Sequence, residues 1–162
     1  MGNIAPQGKY RPMSDERDAR DVVVVSACLL DVKCNHRGLA SPSAAVQKLG
    51  RTHRLVAVCP ETMGGLPTPR PAAEIQADGS VTTADGGDVT DAYRRGAAAT
   101  VALARSTGAR RAVLKARSPS CGCAEVYDGT FSRTLRAGEG ITAAALRQAG
   151  VEVVSDEDFP LT

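Results

Sequence analysis

The chain alternates short unbroken apolar runs with longer segments in which apolar residues recur every three or four positions. Val22 to Val25 is a β-branched run that ends at Ser26, Ala27 and Cys28, the pattern of a strand covered on both faces. Leu55 to Val58 is a second run, stopped at Cys59 and Pro60 because proline cannot donate to a sheet ladder. Ala112 to Leu114 makes a third strand running into Arg117, Ser118, Pro119, Ser120 and Cys121, and Val151 to Val154 makes a fourth. Between these runs the period changes. Ser41 and Pro42 read as the N-cap and first residue of a short helix with Ala45, Val46 and Leu49 as its stripe and Gly50 at its end. Asp91 to Ser106 places Tyr93, Ala97, Val101 and Ala104 on one face and stops before Gly108, and Ile141 to Ala149 forms the last helix.

Strands that alternate with helices pair in parallel through right-handed crossovers. The pattern therefore predicts an α/β fold: a three-layer Rossmann-like domain with a short parallel sheet of about four strands. Gly64, Gly65, Pro67, Pro69 and Pro71 mark a stiff extended loop, and Asp78-Gly79 between Ile75 and Val81 marks a small β-hairpin. Residues 1–20 show neither period and are expected to be a flexible leader, with residues 21–162 as one domain.

Composition narrows the function. A chain of 162 residues with 43% apolar content fills one core. No apolar run approaches the ~18 residues that cross a bilayer, and the first twenty residues lack a secretory centre, so a cytoplasmic location is expected. A net charge of +2, three Tyr, two Phe and no Trp give little with which to hold nucleic acid or a membrane surface. A small-molecule partner is expected instead.

The five cysteines, at positions 28, 34, 59, 121 and 123, are an odd number that argues against a disulfide framework. Three of them follow strands: Cys28 closes the first, Cys59 the second, and Cys121 lies just beyond the third. In open parallel sheets ligands bind outside the carboxyl ends of the strands, so one fold assumption brings these thiols to a common rim. Soft sulfur ligands suit either zinc or a 4Fe-4S cluster with one iron left open, and the spacing matches neither a zinc ribbon nor a ferredoxin run. Cys34, in a polar loop that could fold back over the crevice, could be a fourth ligand, a sulfur carrier or a bystander and is read as a bystander; Cys123 is read as a packing residue.

Glu61 stands two residues after Cys59, where a general acid or base could face the same crevice, or a solvated loop carboxylate could stand. Ser118 and Ser120 flank Pro119 just before Cys121, and their hydroxyls could meet cluster sulfur, substrate or the turn itself. Arg70, between two prolines, could take an anion, a substrate carbonyl or Glu74. His36 and His53 have no ligand pattern around them and are read as surface residues, and no phosphate loop follows any strand.

Ser26-Ala27-Cys28-Leu29-Leu30, Cys59-Pro60-Glu61, Gly65-Leu66-Pro67-Thr68-Pro69-Arg70, Leu114-Lys115 and Ser118-Pro119-Ser120-Cys121-Gly122 together resemble the 2-thiouracil desulfidase (TudS-like) family, and Tyr127-Asp128-Gly129-Thr130-Phe131 extends the match. The resemblance implies a 4Fe-4S cluster held by Cys28, Cys59 and Cys121, with Glu61 and Ser118 as the catalytic pair; Arg70 and Ser120 are read from their own positions as substrate-binding residues. It implies replacement of C=S by C=O in a thiolated nucleobase or related thioamide, with sulfide released and no net redox change. The alternative reading is a non-catalytic iron-sulfur or zinc-binding module. One loop departs from the family pattern: Asp31 and Asn35-His36-Arg37-Gly38 stand where the family usually has Gly and an Arg-Tyr-Asp-Gly series.

Overall fold

In a computed structural model the described residues are 20–159, so most of the expected leader lies outside them. Four strands form one parallel sheet in the order β2-β1-β5-β8: β1 (Val22–Ser26), β2 (Arg54–Val58), β5 (Arg111–Leu114) and β8 (Glu152–Ser155). The register pairs Val24 with Val56 on one side and with Ala112 on the other. Because side chains alternate across a strand, Val24 joins one core and Val23 and Val25 another. Val24 packs with Leu114, Ala104 of α3 (Thr90–Thr107), and Ala143 and Leu146 of α4 (Ile141–Gln148). Val23 and Val25 pack with Val113, Leu29 and Val46 of α1 (Ala44–Leu49). Helices thus cover both faces, giving the three layers expected. All three valines are 2% exposed or less, and each such burial stabilises the fold by about 2 kcal/mol.

The strands begin and end within about one residue of the apolar runs. The first helix differs: its N-cap is Ser43, whose hydroxyl accepts from the Val46 amide at 3.3 Å, and not Ser41. The amides of Ser41 and Ser43 instead donate to the carbonyls of Cys28 and Leu29. The turn after β1 and the approach to α1 are therefore one hydrogen-bonded unit, and helix geometry begins only once that tie is released.

The excursion between β2 and α3 carries a short helix α2 (Pro60–Met63) and the expected hairpin of β3 (Ala73–Ile75) and β4 (Val81–Thr83), paired Ile75 to Val81. A second antiparallel hairpin, β6 (Glu125–Tyr127) with β7 (Leu135–Ala137), was not expected from the pattern. No helix among the described residues is long and apolar enough to cross a membrane.

Candidate active site

The strand order changes direction at β1, which has β2 on one side and β5 on the other. That change opens a crevice at the carboxyl edge. Beyond β1 the chain enters a 3-10 turn, Ala27–Leu30, that carries Cys28 and is capped by Asp31 at φ 67. A left-handed residue is what the turn needs there, and Asp visits that conformation more readily than most residues with a side chain. β2 runs directly into Cys59, the N-cap of α2, with Pro60 in the first helical position where its missing N–H costs nothing.

The third thiol is placed by α4. The first amides of that helix have no partner of their own, and they donate to the loop before it: Gly140 to Gly122, Ile141 to Pro119, and Thr142 and Ala143 to Ser120. Within the loop the Ser118 hydroxyl oxygen accepts from the amides of Ser120 and Cys121 at 3.1 and 3.0 Å. Cys121 is held from both directions. Ser26 at the end of β1 accepts from the Lys115 amide at 2.9 Å and also hydrogen-bonds Cys121. It joins two of the strand ends to one thiol.

Cys28, Cys59 and Cys121 all line one cavity of about 570 Å³. Burial pushes the Cys28 thiol up to about 11, partly opposed by the Lys115 ammonium. Burial likewise pushes Cys121 up to about 12, against the Ser26 hydrogen bond. Without a partner cation these thiols are therefore protonated at neutral pH. Cys34, read from the sequence as a bystander, sits in the same wall: its thiol hydrogen-bonds Cys59, its carbonyl accepts from the Cys59 thiol at 3.6 Å, and burial raises it to about 12. Cys123 turns away toward Ser155 and Arg147 and packs in the α3/α4 core.

Glu61 is the most firmly held group in the cavity. Its Oε2 accepts from Arg70 Nη2 at 3.1 Å, and its Oε1 accepts from the hydroxyl of Tyr93 on α3. Arg70 pairs with Glu61 and not with Glu74, and its guanidinium also donates to the carbonyls of Pro67 and Cys34 and to Thr68 Oγ1. Its Nη2 lies 4.0 Å from Cys59 Sγ. Burial would pull Arg70 down, but the Glu61 carboxylate holds it above its ordinary value, helped by Cys59 and Tyr93. Burial and the Glu61 charge raise Tyr93, so its hydroxyl stays a donor. Arg70 Nε is buried without a partner.

This clamp depends on a close helix contact. A Cβ on Gly96 of α3 would lie 1.8 Å from the Pro60 carbonyl, and one on Gly64 would lie 1.9 Å from the Ala92 carbonyl. Only two glycines allow α2 and α3 to touch backbone to backbone, which is what brings Tyr93 to Glu61.

Ser118 lines the cavity; Ser120 does not. Ser120 is buried against Thr142, whose hydroxyl lies 2.9 Å from its own. His36 stands at the cavity wall and accepts the Arg70 amide at its carbonyl, while His53 bonds Thr52 away from the site. Tyr93 and Ser26 are the residues sequence reasoning passed over. Tyr93 was legible only as part of a helix stripe, since its partner lies 32 positions away.

Among the described residues no three His, Cys, Asp or Glu side chains converge closely enough to grip a single metal ion. A zinc ion holds sulfur at ~2.3 Å, so its thiolates lie within ~4.6 Å of each other. Cys28 and Cys59 follow neighbouring strands whose backbones lie about 4.8 Å apart, and Cys121 stands on a loop beyond the end of β5. The donor set is soft, has Lys115 and Arg70 beside it to offset thiolate charge, and fits a polynuclear iron-sulfur cluster better than one ion.

Residues 23–158 match the family model described as 2-thiouracil desulfurase. The chain belongs to this family. It is similar to the uncharacterized protein YbbK of Bacillus subtilis (strain 168), 40% identical over 147 residues that cover 85% of this chain and 97% of that one. It also matches a solved structure of a 4Fe-4S-dependent thiouracil desulfidase, TudS, with 43% identity and a TM-score of 0.82, over 87% of this chain and 94% of that one. The desulfurase match takes in the four parallel strands but for Val22, both hairpins and every cavity residue named above.

Proposed function

We propose that this protein is a 4Fe-4S-dependent desulfidase that replaces the sulfur of a thiolated pyrimidine such as 2-thiouracil by oxygen, C=S plus water giving C=O plus hydrogen sulfide. The observation that carries the reading is the meeting, in one cavity, of Cys28, Cys59 and Cys121 with a carboxylate clamped at both oxygens. A module that only stored or sensed a cluster would have no use for such a carboxylate.

Cys28, Cys59 and Cys121 would hold the cluster, and because burial keeps the Cys28 and Cys121 thiols protonated when free, loading releases protons. When bound, the cluster supplies a Lewis-acidic iron open to the substrate sulfur. Glu61, fixed by Arg70 and Tyr93, takes the proton of the attacking water and returns it to the departing sulfide; positioned proton transfer of this kind contributes ~10²- to 10⁴-fold. The Ser118 oxygen is already an acceptor for two amides, so its O–H is left to donate toward the ring. Arg70, which lines the cavity and is held by Glu61, is the group placed to meet a substrate carbonyl. Ser120, bonded to Thr142 outside the cavity, is given no part. Five free thiols suit a reducing compartment, and the reading places the enzyme in the cytoplasm, acting on free small molecules.

The test is anaerobic reconstitution followed by iron and acid-labile sulfide counts and a sulfide-release assay on thiolated pyrimidines. Cys28→Ser, Cys59→Ser and Cys121→Ser are expected to lose the cluster and the activity, and Cys123→Ser to keep both. A loaded protein that frees no sulfide from any of these compounds would refute the reading.

A further inference from the structure

The loop joining β6 to β7, residues 128–134, forms part of the cavity wall, and its shape is held by groups that could have been left in water. Glu74 is 8% exposed and its Oε1 accepts from the amides of Gly129 and Phe131, at 3.0 and 3.2 Å. Gln76 Nε2 donates to the Gly129 carbonyl at 3.1 Å and to Thr82 Oγ1 at 2.8 Å. A buried carboxylate is costly unless its hydrogen bonds are made, and here they are made to two backbone amides of one loop.

The loop is also bent against its residues' preference. Phe131 and Arg133 have φ of 55 and 60, a left-handed conformation that L-residues with side chains avoid. Among the described residues four non-glycine positions have positive φ, and Arg117, Phe131 and Arg133 line the same cavity. Strain of this kind persists where the surroundings over-determine it, and it gathers at sites that bind.

The bend presents an aromatic face. Phe131 is 38% exposed and belongs to none of the hydrophobic clusters that make the core. In a chain with two Phe and three Tyr, such a ring is not spare core material. The strand-end residues of the same cavity, Cys28, Cys59, Cys121, Glu61 and Arg70, offer thiols, a carboxylate and a guanidinium, and a pyrimidine has both a polar edge and a π-face. We propose that Phe131 is the stacking platform for the substrate ring, that Glu74 positions it through the loop, and that the enzyme therefore selects planar heterocyclic thiocarbonyls over acyclic thioamides.

This inference rests on the desulfidase reading, and uracil, which has the ring and no sulfur, separates the two. Binding of uracil to the cluster-loaded protein is measured by calorimetry beside KM for 2-thiouracil and turnover of thioacetamide. Base–aromatic stacking lost by truncation weakens binding about tenfold or more. Phe131→Ala is expected to weaken uracil binding, raise KM and narrow the preference for 2-thiouracil over thioacetamide by about that factor, with iron content and melting temperature unchanged. Phe131→Tyr should restore both constants, whereas Phe131→Leu, which keeps bulk and loses the π-face, should not. Glu74→Gln should weaken binding in the same direction. Wild-type protein that does not bind uracil, or Phe131→Ala or Phe131→Leu with wild-type constants, overturns the inference while sulfide release stands. Wild-type protein that binds uracil but releases no sulfide, with that binding lost in Phe131→Ala, overturns the desulfidase reading and leaves the ring platform intact.

Discussion

The cavity has two walls built on opposite plans. On the strand-end wall, Cys28, Cys59, Cys121, Glu61 and Arg70 are fixed by strand termini, helix caps and a glycine-to-backbone contact, and Arg70 and Glu61 have side chains only 3% and 17% exposed. On the loop wall, Arg117, Phe131 and Arg133 stand on short bends with left-handed backbone, and the Arg117–Glu157 ion pair has side chains 41% and 47% exposed. The first wall carries what a bond-breaking step requires at fixed distances. The second carries what must meet a substrate, and it can be altered with little disturbance to the core.

The contrast is broken most severely by attacking the first wall from behind. In Gly96→Ala the new Cβ meets the Pro60 carbonyl, a backbone atom that cannot swing aside, so α2 and α3 must separate. The expected cost is about 3 kcal/mol of stability. Moving Glu61 away from the thiols by a fraction of a helix diameter is expected to lower kcat by about 10²-fold at matched iron content. Denaturant midpoints and steady-state rates check this together, and wild-type values for both would show that the helix contact does not set the site.

A gentler change keeps the helices in place. Tyr93→Phe removes one hydroxyl from a residue 1% exposed and leaves Glu61 Oε1 without its donor while Arg70 still holds Oε2. Loss of a hydrogen bond to a charged group corresponds to about 1.5–3 kcal/mol. Part of that is recovered if the carboxylate rotates, so a fall in kcat of about tenfold with KM unchanged is expected. A rise in KM at constant kcat would instead place the hydroxyl at the substrate.

What could be read from the sequence follows the same division. The strands were legible because Val22 to Val25 and its counterparts are unbroken apolar runs interrupted by polar or proline residues, and the three thiols were legible because they follow those runs. The β6–β7 hairpin was not, since β7 is exposed at all three residues and shows no alternation. Ser41 was preferred as a cap because Pro42 suits a first helical position, yet its amide is committed to Cys28. Cys34 and Tyr93 escaped for another reason. Their roles are contacts with Cys59 and Glu61 across 25 and 32 positions, and periodicity carries no information about such pairs.

The smallest expected effect belongs to the loop wall and sharpens the comparison from its other side. Arg117 donates two bonds to Glu157, at 2.8 and 3.0 Å, a geometry that would be strong if it were dry. Both side chains are more than two-fifths exposed, so water and salt screen the pair, and at ~0.15 M ionic strength its worth falls to about 1 kcal/mol or less. Arg117→Ala keeps the left-handed backbone at φ 62 and so adds no new strain. Stability is expected to change by less than about 1 kcal/mol and kcat by less than about twofold, measured by thermal unfolding at low and high salt and by sulfide release. A loss above about 2 kcal/mol that persists in high salt would mean the loop is as tightly built as the strand ends, and the division between a fixed wall and an adaptable one would fail.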